Sequence, residues 1–483
     1  MQRGLIPLMR FPAHERHSMK MTHPVLPARH PLFTLCLLAS LQACAVSTPY
    51  RTPVVSVPAQ WQNGEGLMTN NALPTAWWLQ QDDNVLANLI DQVLARNGEL
   101  AVAALRVGQA QLGAELIGSQ RLPGVTAGVS ASASRLLETN AHSTHAGGIN
   151  VGVTEAPDLW RRVASAAQSA QRSAEALDED RQSLALQLVE TTATLYWNIA
   201  WLNQSLDLSE QNLAHARQTL ALVRIQRKLG AVAGLEEAQA GQQLDTLQVS
   251  RTELLQLRTE QRLALALLLD GPPELVVPES PQLPATDPAT LAPDLPASVL
   301  ARRPDVRAAE LRLRAALSSS DATRASFYPT LNLTAGIGTS GDQLSRWLSN
   351  PVATLGASVV LPFVHWRDMQ RSIAISQSDY EQAAIGFRTV LYRALSEAET
   401  ALSSMQSLQQ QAASLQRVMD ASQRAERLSE VQYRVGAVPL KSWLDAQQAR
   451  RNVEDSLIRN RRDQWVNRAG FYRVLGGSVA PLS

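Results

Sequence analysis

Hydrophobic positions in the middle of the first half follow a helical period. Residues 163–228 contain neither proline nor glycine, and their apolar side chains recur at alternating steps of three and four residues. That spacing is typical of a coiled-coil seam. A helix of this length would measure about 100 Å at 1.5 Å per residue, so it would extend beyond any compact domain. The seam consists of Leu195, Ile199, Leu202, Leu206, Leu213, Leu220 and Val223, with Ser209 and Ala216 at the intervening positions.

Four shorter segments follow a period of two residues, which predicts strands with one apolar and one small polar face. They lie at 125–134, 149–154, 331–338 and 355–361. The polar loop 138–148 connects the first two strands and the polar loop 342–350 connects the last two, which predicts two hairpins, 123–158 and 329–364. Each strand approaches the roughly 9–11 residues that cross a bilayer when tilted. Four strands cannot close, and the smallest closed membrane barrels have about 8, so a membrane location requires several chains to share one barrel. A small soluble β-domain packed on helices is the alternative.

Three landmarks recur at one constant spacing. Trp160 and Trp366 are 206 residues apart (366 minus 160), and the same interval separates Pro123 from Pro329 and Gly230 from Gly436. A constant offset predicts a duplicated unit of helix, hairpin, long helix, turn and return helix. The predicted units are 82–270 and 297–476, joined by a proline-rich linker at 271–296 and followed by a tail at 477–483. The predicted helices cover 82–120, 163–228 and 235–269 in the first unit, and 369–434 and 441–475 in the second.

The N-terminal region has the layout of a secretory signal. Arg29 and His30 precede a short apolar run that ends in Leu41-Gln42-Ala43-Cys44, a sequence similar to a bacterial lipobox. We therefore expect residues 1–43 to be removed, with translation starting at Met19 or Met21, and Cys44 to be acylated. A buried thiol in an apolar stretch is the alternative. Ala45 follows the cysteine, which favours the outer membrane, and the prolines of 44–81 predict an extended segment on the surface of the body.

Composition and charge exclude several classes of function. The formal net charge is +1 and charges of both signs alternate, so nothing predicts a nucleic-acid partner. No phosphate-binding glycine loop or catalytic Ser, His and Asp set is present, which argues against an enzyme or a cofactor. His142 and His145 could contact a metal ion, but two residues in a polar loop are better interpreted as solvated.

Several motifs, taken together and in order, resemble one known family. The chain carries Leu41-Gln42-Ala43-Cys44, Pro157-Asp158-Leu159-Trp160, Ala301-Arg302-Arg303-Pro304-Asp305-Val306, Ala325-Ser326-Phe327-Tyr328-Pro329 and Leu444-Asp445-Ala446-Gln447. This set resembles the TolC-like outer membrane factors, in particular the lipoprotein branch that serves resistance-nodulation-division efflux pumps.

The resemblance implies a mainly α fold with a membrane β-barrel portion. Three chains would contribute four strands each to one 12-stranded barrel, which continues as an α-helical periplasmic tunnel. The partners would be a homotrimer, outer membrane lipid, a periplasmic adaptor and an inner-membrane pump.

The same resemblance assigns a role to one carboxylate. Relatives use an aspartate at the place of Asp445 to constrict the closed tunnel tip, although this chain has Lys441 where some relatives have leucine and Gln448 where some have arginine. The bland alternative for Asp445 is a solvated carboxylate near a helix N-terminus. Arg161 and Arg367 stand where relatives usually have glycine, whereas Arg302-Arg303-Pro304-Asp305 is read as a helix start with Pro304 in the first turn.

A passive export duct accounts for the anchor, the repeat, the short strands and the long helices together. Small-molecule efflux is favoured over a type I protein-secretion duct because the efflux branch is the one commonly acylated. A periplasmic coiled-coil adaptor or scaffold lipoprotein would keep the helices but lack lipid-matched strand pairs. A lipid-held envelope enzyme would need a polar site.

Overall fold

A computed structural model describes residues 47–63, 76–81, 83–135, 137, 143–286, 296–341 and 351–477 of the chain. Cys44, His142 and residues 478–483 lie outside this part. The first half contains helices α1 (Asn84–Arg96) and α2 (Gly98–Ser119), strands β1 (Gly124–Arg135) and β2 (Ser143–Glu155), and helices α3 (Arg162–Lys228) and α4 (Gly234–Leu268). The second half contains helices α5 (Pro296–Arg302) and α6 (Pro304–Ala325), strands β3 (Thr330–Gly341) and β4 (Pro351–Val360), and helices α7 (Trp366–Arg434) and α8 (Leu440–Val474).

Two long helices, α3 and α7, organise the packing. The predicted seam of α3 is confirmed, because all of its residues are buried except Leu195, which is partly buried. Helix α3 packs against α1, α2, α4, α6 and α8, and α7 packs against α6 and α8. In the described part of the chain, no helix combines the length and hydropathy needed to cross a membrane.

The helix predicted over 82–120 is interrupted at Asn97. The backbone of Asn97 is extended, with φ −60° and ψ 123°, and its side-chain oxygen caps α2 by accepting a hydrogen bond from the Leu100 amide at 3.1 Å. Its side-chain nitrogen donates to the Leu268 carbonyl oxygen at 3.0 Å, at the last residue of α4. Carbonyls in the last turn of a helix lack partners within that helix. Asn97 therefore joins the start of α2 to the end of α4.

A matching junction joins α6 to α8. Arg303 is 3% exposed and donates to the Val474 carbonyl oxygen at 3.2 Å, at the last residue of α8. Asn97 and Arg303 are 206 residues apart (303 minus 97), as are the two acceptors Leu268 and Val474 (474 minus 268). Helix α6 begins at Pro304, which confirms the predicted helix start. In each half, a side-chain hydrogen bond therefore joins the start of a shorter helix to the last residue of a long return helix.

The four strands form one antiparallel sheet in the order β1-β2-β3-β4. Both predicted hairpins are present, and β2 pairs with β3 to join them. The loop predicted to extend to Gly148 is wrong from Ser143 onward, where β2 already pairs with β1. Residues 143–148 do not alternate between apolar and polar side chains, so the sequence signal for a strand is absent there, while the backbone ladder still continues.

Most of the large apolar residues of the sheet lie on one face, opposite apolar or small partners. Val151, for example, lies opposite Ala127 in β1 and Ile337 in β3. Asn150, its chain neighbour on the other face, lies opposite Gly128 and Gly338. Because successive side chains of a strand point to opposite faces, the sheet has one mainly apolar face and one face of mainly small or polar residues.

The N-terminal segment 47–63 forms neither helix nor strand and lies against α6 and α7. Thr48 donates from its backbone amide and its hydroxyl to the Asp321 carboxylate at 2.8 and 2.7 Å. The backbone amides of Gln62 and Asn63 donate to Glu399 at 2.7 and 3.2 Å. Trp61 inserts into the core beside α7 and is only 8% exposed, so the segment is a packed strap as well as a surface connection.

Near residue 80 the chain forms a short helical turn and not the expected extended segment, and its tryptophans enter an aromatic core. Residues Trp77–Gln80 form a short 3₁₀ turn. Trp77 stacks on Tyr472 of α8 at a centroid distance of 4.8 Å and contacts Trp197 of α3 at 6.1 Å. Burial of this large aromatic surface stabilises the packing of α3 and α8 against the segment that precedes α1.

The turn into α3 places Arg161 in a strained conformation. Its φ is +62° and its ψ is 26°, in the left-handed region, whereas Arg367 lies within the first turn of α7. Glycine adopts positive φ without the steric penalty of a side chain. We expect Arg161→Gly to stabilise the protein by roughly 0.5–1 kcal/mol and Arg367→Gly to destabilise it by a similar amount. Thermal unfolding followed by circular dichroism measures both; a melting temperature lowered by Arg161→Gly would contradict this account.

Candidate functional site

The turns that follow α3 and α7 form one end of the helical part. Gly230 and Gly436 have φ of +75° and +79°, and each lies in the turn between a long helix and its return helix. A small apolar core packs the two helical hairpins together at this end. It consists of Leu220, Val223, Ala240, Tyr433, Leu440, Trp443 and Leu444. The Tyr433 hydroxyl also donates to the Gln226 side-chain oxygen at 2.8 Å, which ties α7 to α3.

Asp445 lies in the second turn of α8, next to this core. The Lys441 ammonium group donates to both Asp445 carboxylate oxygens at 2.8 Å. The two side chains are 64% and 63% exposed, so this is a surface ion pair between positions i and i+4 of one helix. Pairs of this kind contribute about 0.3–0.5 kcal/mol to stability. The pair matters more for the local charge than for stability, because the Lys441 ammonium group offsets the charge of the Asp445 carboxylate.

Gln448 connects α8 to α4. Its side-chain oxygen accepts hydrogen bonds from Gln243 at 3.1 Å and from Arg451 at 2.9 Å, and its nitrogen donates to Asn452 at 2.7 Å. Burial lowers the pKa of Arg451, and the neighbouring charge of Arg450 lowers it further. The uncharged Gln448 amide is a suitable partner for this buried cation. Gln448 is thus a neutral bridge between α8 and α4.

Charged pairs secure the helical hairpins around this end. Arg450 pairs with Glu426 of α7 and with Glu454 of α8, both at 2.5 Å. In the other hairpin Glu237 accepts hydrogen bonds from Arg227 and Arg224, and these bonds lower the pKa of the Glu237 carboxyl group. Many charged side chains at this end are therefore neutralised by ion pairs within the chain.

The apolar face of the sheet is the second candidate functional surface. Exposed apolar side chains on it include Leu355 (92%), Val125 (71%), Val129 (70%) and Ile337 (65%). A continuous exposed apolar surface of this kind marks contact with a membrane or with another protein. The edge strands β1 and β4 present unpaired backbone groups on either side of it.

Among the described residues, no group of three or more His, Cys, Asp or Glu side chains could hold a metal ion. His145 lies in β2 opposite Ala133, and not in the predicted loop. The lipidation residue Cys44 lies outside the described part of the chain. Sequence reasoning missed the partnership of Lys441 with Asp445, although the spacing of four residues on a helix was a usable signal.

Comparisons with known proteins agree on one family. The family model described as outer membrane efflux protein matches the chain twice, at residues 89–271 and 295–477. The chain is 29% identical over 463 residues to the pyoverdine export outer membrane protein OpmQ of Pseudomonas putida, a match that covers 92% of this chain and 97% of that protein. It is 26% identical over 456 residues to the cation efflux system protein CusC of Escherichia coli O6:H1, with 92% and 98% covered. The crystal structure of the open state of the Neisseria gonorrhoeae MtrE outer membrane channel superposes with a TM-score of 0.80 at 26% identity, covering 90% of this chain and 98% of that one.

Proposed function

Because the chain belongs to the outer membrane efflux protein family, we propose that it is the passive outer-membrane duct of a tripartite pump that exports small molecules. The duct is a homotrimer. It receives its cargo from an inner-membrane pump of the resistance-nodulation-division type and is joined to that pump by a periplasmic adaptor. The proposal extends the outer-membrane efflux role, which the family establishes, to a specific assembly and mechanism.

The observation that carries this proposal is the four-stranded sheet with one exposed apolar face. In lipid, unpaired backbone groups at a sheet edge are too costly, so a membrane sheet must close into a barrel. Four strands are too few to close, whereas three copies provide twelve, within the range of membrane barrels. The apolar face then meets lipid and the small polar face lines the lumen.

The long helices supply the rest of the conduit. Helices of 67 and 69 residues would extend about 100 Å from the membrane at 1.5 Å per residue. Strands β1 and β3 begin and end 206 residues apart, and the helix junctions at Asn97 and Arg303 recur at that offset. These correspondences support an internal duplication, in which three chains surround the tunnel with six similar units.

The anchor and the constriction complete the proposal. Acylation of Cys44 would hold the chain at the outer membrane, and the strap at 47–63 packs along α6 and α7 directly after it. At the other end, Asp445 would narrow the closed tunnel. Lys441 neutralises each carboxylate, so the three-copy constriction of this chain carries little net charge.

Native mass spectrometry of the membrane-extracted protein, combined with planar-bilayer recording, tests the function. A trimer that begins at an acylated Cys44 and conducts ions is expected. Lys441→Gln leaves three carboxylates around the axis, and we expect cation over anion permeability to rise by a factor of roughly three, as for an interaction of ~0.6 kcal/mol with the passing ion. The matched variant Asp445→Asn should shift the permeability ratio in the opposite direction.

Two outcomes would contradict the proposal. A monomer without conductance would contradict the hypothesis of a shared-barrel duct and would favour the hypothesis of a scaffold lipoprotein. The second outcome is a conducting trimer with the same ion selectivity in Lys441→Gln, Asp445→Asn and the unmodified protein. This result would support the duct but would show that Asp445 does not form its constriction.

A further inference from the structure

A groove lies between α3, α6 and α7, near the ends of the long helices that join the sheet. Its volume is about 540 Å³, within the range of small-molecule binding sites. Ser169 and Ser372, which line it, are seven and six residues from the starts of α3 and α7 (169 minus 162 and 372 minus 366), or about 10 Å along each helix. The lining includes six hydroxyl side chains: Ser169, Ser173, Ser319, Thr323, Ser372 and Ser376.

Most of these hydroxyl groups offer acceptor oxygens. Four of them donate their own proton to a helix carbonyl oxygen: Ser169, Ser173, Thr323 and Ser376. The Ser169 hydroxyl, for example, donates to the Ala315 carbonyl oxygen of α6 at 2.8 Å, which also joins α3 to α6. A hydroxyl oxygen whose proton is already donated keeps lone pairs that accept hydrogen bonds. The groove therefore suits a ligand that is rich in donors.

The charges of the groove favour a cation. Asp379 is exposed, and within the described ranges its carboxylate has neither a hydrogen bond nor an ion pair. Arg312, the other charged residue of the lining, pairs with Asp180 of α3, so its charge is offset. Ile375, four residues before Asp379 on the same face of α7, is 64% exposed and adds an apolar contact surface.

The groove and the strap lie on opposite faces of α6. Arg312 and Ser319 line the groove, whereas Asp321 holds the strap through Thr48. Asp321 is nine residues from Arg312 and two from Ser319, and both intervals leave about half a turn at 3.6 residues per turn. In the proposed trimer, the acylated Cys44 lies in lipid and is four residues before Thr48, a span of at most about 14 Å. The strap then follows the outer surface of the tunnel wall, and the groove faces the lumen.

We propose that this groove binds organic ammonium ions on their way through the tunnel. An ammonium group has three donors and no acceptor, which matches the hydroxyl oxygens of the groove. Its positive charge matches the Asp379 carboxylate, and the carbon skeleton of the ligand contacts Ile375. This inference rests on the proposed duct, and it adds the chemical class of one cargo and the place where the wall contacts it.

Binding of phenethylammonium to the full-length trimer in detergent tests the site, with Kd obtained from a titration followed by saturation-transfer-difference NMR. We expect Asp379→Asn to weaken binding by roughly fivefold, the factor for one charge–charge contact at about 4 Å in a water-filled groove. Asp379→Glu keeps the charge and should bind nearly as the parent does. Phenylacetate, which has the same ring and the opposite charge, should bind at least roughly fivefold more weakly than phenethylammonium.

Glu381→Gln is the matched control for Asp379→Asn. Glu381 is two residues after Asp379 and therefore lies on the opposite face of α7, where Gln377 donates to it at 3.2 Å. The control should leave the Kd of phenethylammonium unchanged. Equal weakening by the two variants would show that overall charge alone attracts the ligand, and would overturn the site.

The remaining outcomes separate the site from the duct. Unchanged binding in Asp379→Asn, or equal binding of phenylacetate and phenethylammonium, would overturn the site in a protein that still forms a conducting trimer. A monomer without conductance would overturn the proposed function, and with it the lumen that the groove faces.

Discussion

Replacing Val151 by arginine should prevent most of the protein from assembling in the outer membrane, while Asn150→Arg should leave assembly largely intact. Val151 lies in the middle of the apolar face, between Ala127 and Ile337. An arginine on the lipid face of a membrane barrel near the bilayer midplane costs roughly 2–4 kcal/mol. In the proposed trimer, three copies of the change would act together, so the expected loss is large. Outer-membrane fractionation with quantitative immunoblotting measures it.

Asn150→Arg is the matched control because it changes the adjacent residue on the opposite face. Asn150 lies between Gly128 and Gly338, so there is room for a longer side chain above the glycines. The added cations should reduce cation conductance through the lumen without removing the protein from the membrane. Equal membrane levels of the two arginine variants would show that the apolar face does not contact lipid.

Arg303→Ala should destabilise the folded chain by about 3 kcal/mol, near the lower end for removal of one partner from a buried ion pair. Arg303 is 3% exposed and pairs with Asp305 at 2.8 Å and with Glu397 at 2.7 Å. It also donates to the Val474 and Ala394 carbonyl oxygens at 3.2 and 3.4 Å. Truncation would leave two partly buried carboxylates without their cation and would open the junction between α6 and α8. Chemical denaturation monitored by circular dichroism provides the measurement.

Arg312→Ala is the control for that change, since Arg312 lies on α6, the helix that Arg303 precedes, and pairs with Asp180 at the surface. Exposed pairs contribute about 0–1 kcal/mol, so the control should unfold almost as the parent does. Similar destabilisation by the two variants would mean that the Arg303 cluster has no special role at the junction.

The same cluster predicts a dependence of stability on pH. Burial alone would raise the pKa of Asp305, but the hydrogen bonds and charge of Arg303 outweigh it, so the pKa is lowered. A carboxyl group with a lower pKa in the folded state stabilises that state fully above its unfolded pKa of about 3.9, and this contribution is lost as pH falls through the folded pKa. The parent should therefore lose stability on acidification below about pH 4, and Arg303→Ala should lose this component.

The hydrophobic period predicted the long helices well because each turn of a helix depends on residues only three or four positions away. The break at Asn97 was missed for a different reason. Its side chain is directed to Leu268, 171 residues later, and no local pattern records that partner. The β2 strand was predicted too short, since its first residues are stabilised by backbone pairing with β1 where the side-chain signal is weak.

For the candidate site, the sequence predicted the position of Asp445 but not the contacts between helices, and the role of Asp445 in a constriction stays a prediction. The motif that identified Asp445 located it correctly at the start of α8, and the spacing to Lys441 was visible in the sequence. The bridge from Gln448 to Gln243 was not visible, because it joins two helices that meet only when both hairpins pack at the turns.

The helical and strand periods, the 206-residue spacing, the turn glycines and the two faces of each strand could be predicted without a structure, because these properties arise from neighbouring residues and from a constant spacing. Only the folded chain shows that both hairpins join in one sheet, that Asn97 and Arg303 connect the short helices to the ends of the return helices, and that Lys441 and Asp445 lie beside a packed end. Those outcomes depend on contacts between distant segments. Burial and hydrogen bonding select such contacts only when the whole chain folds.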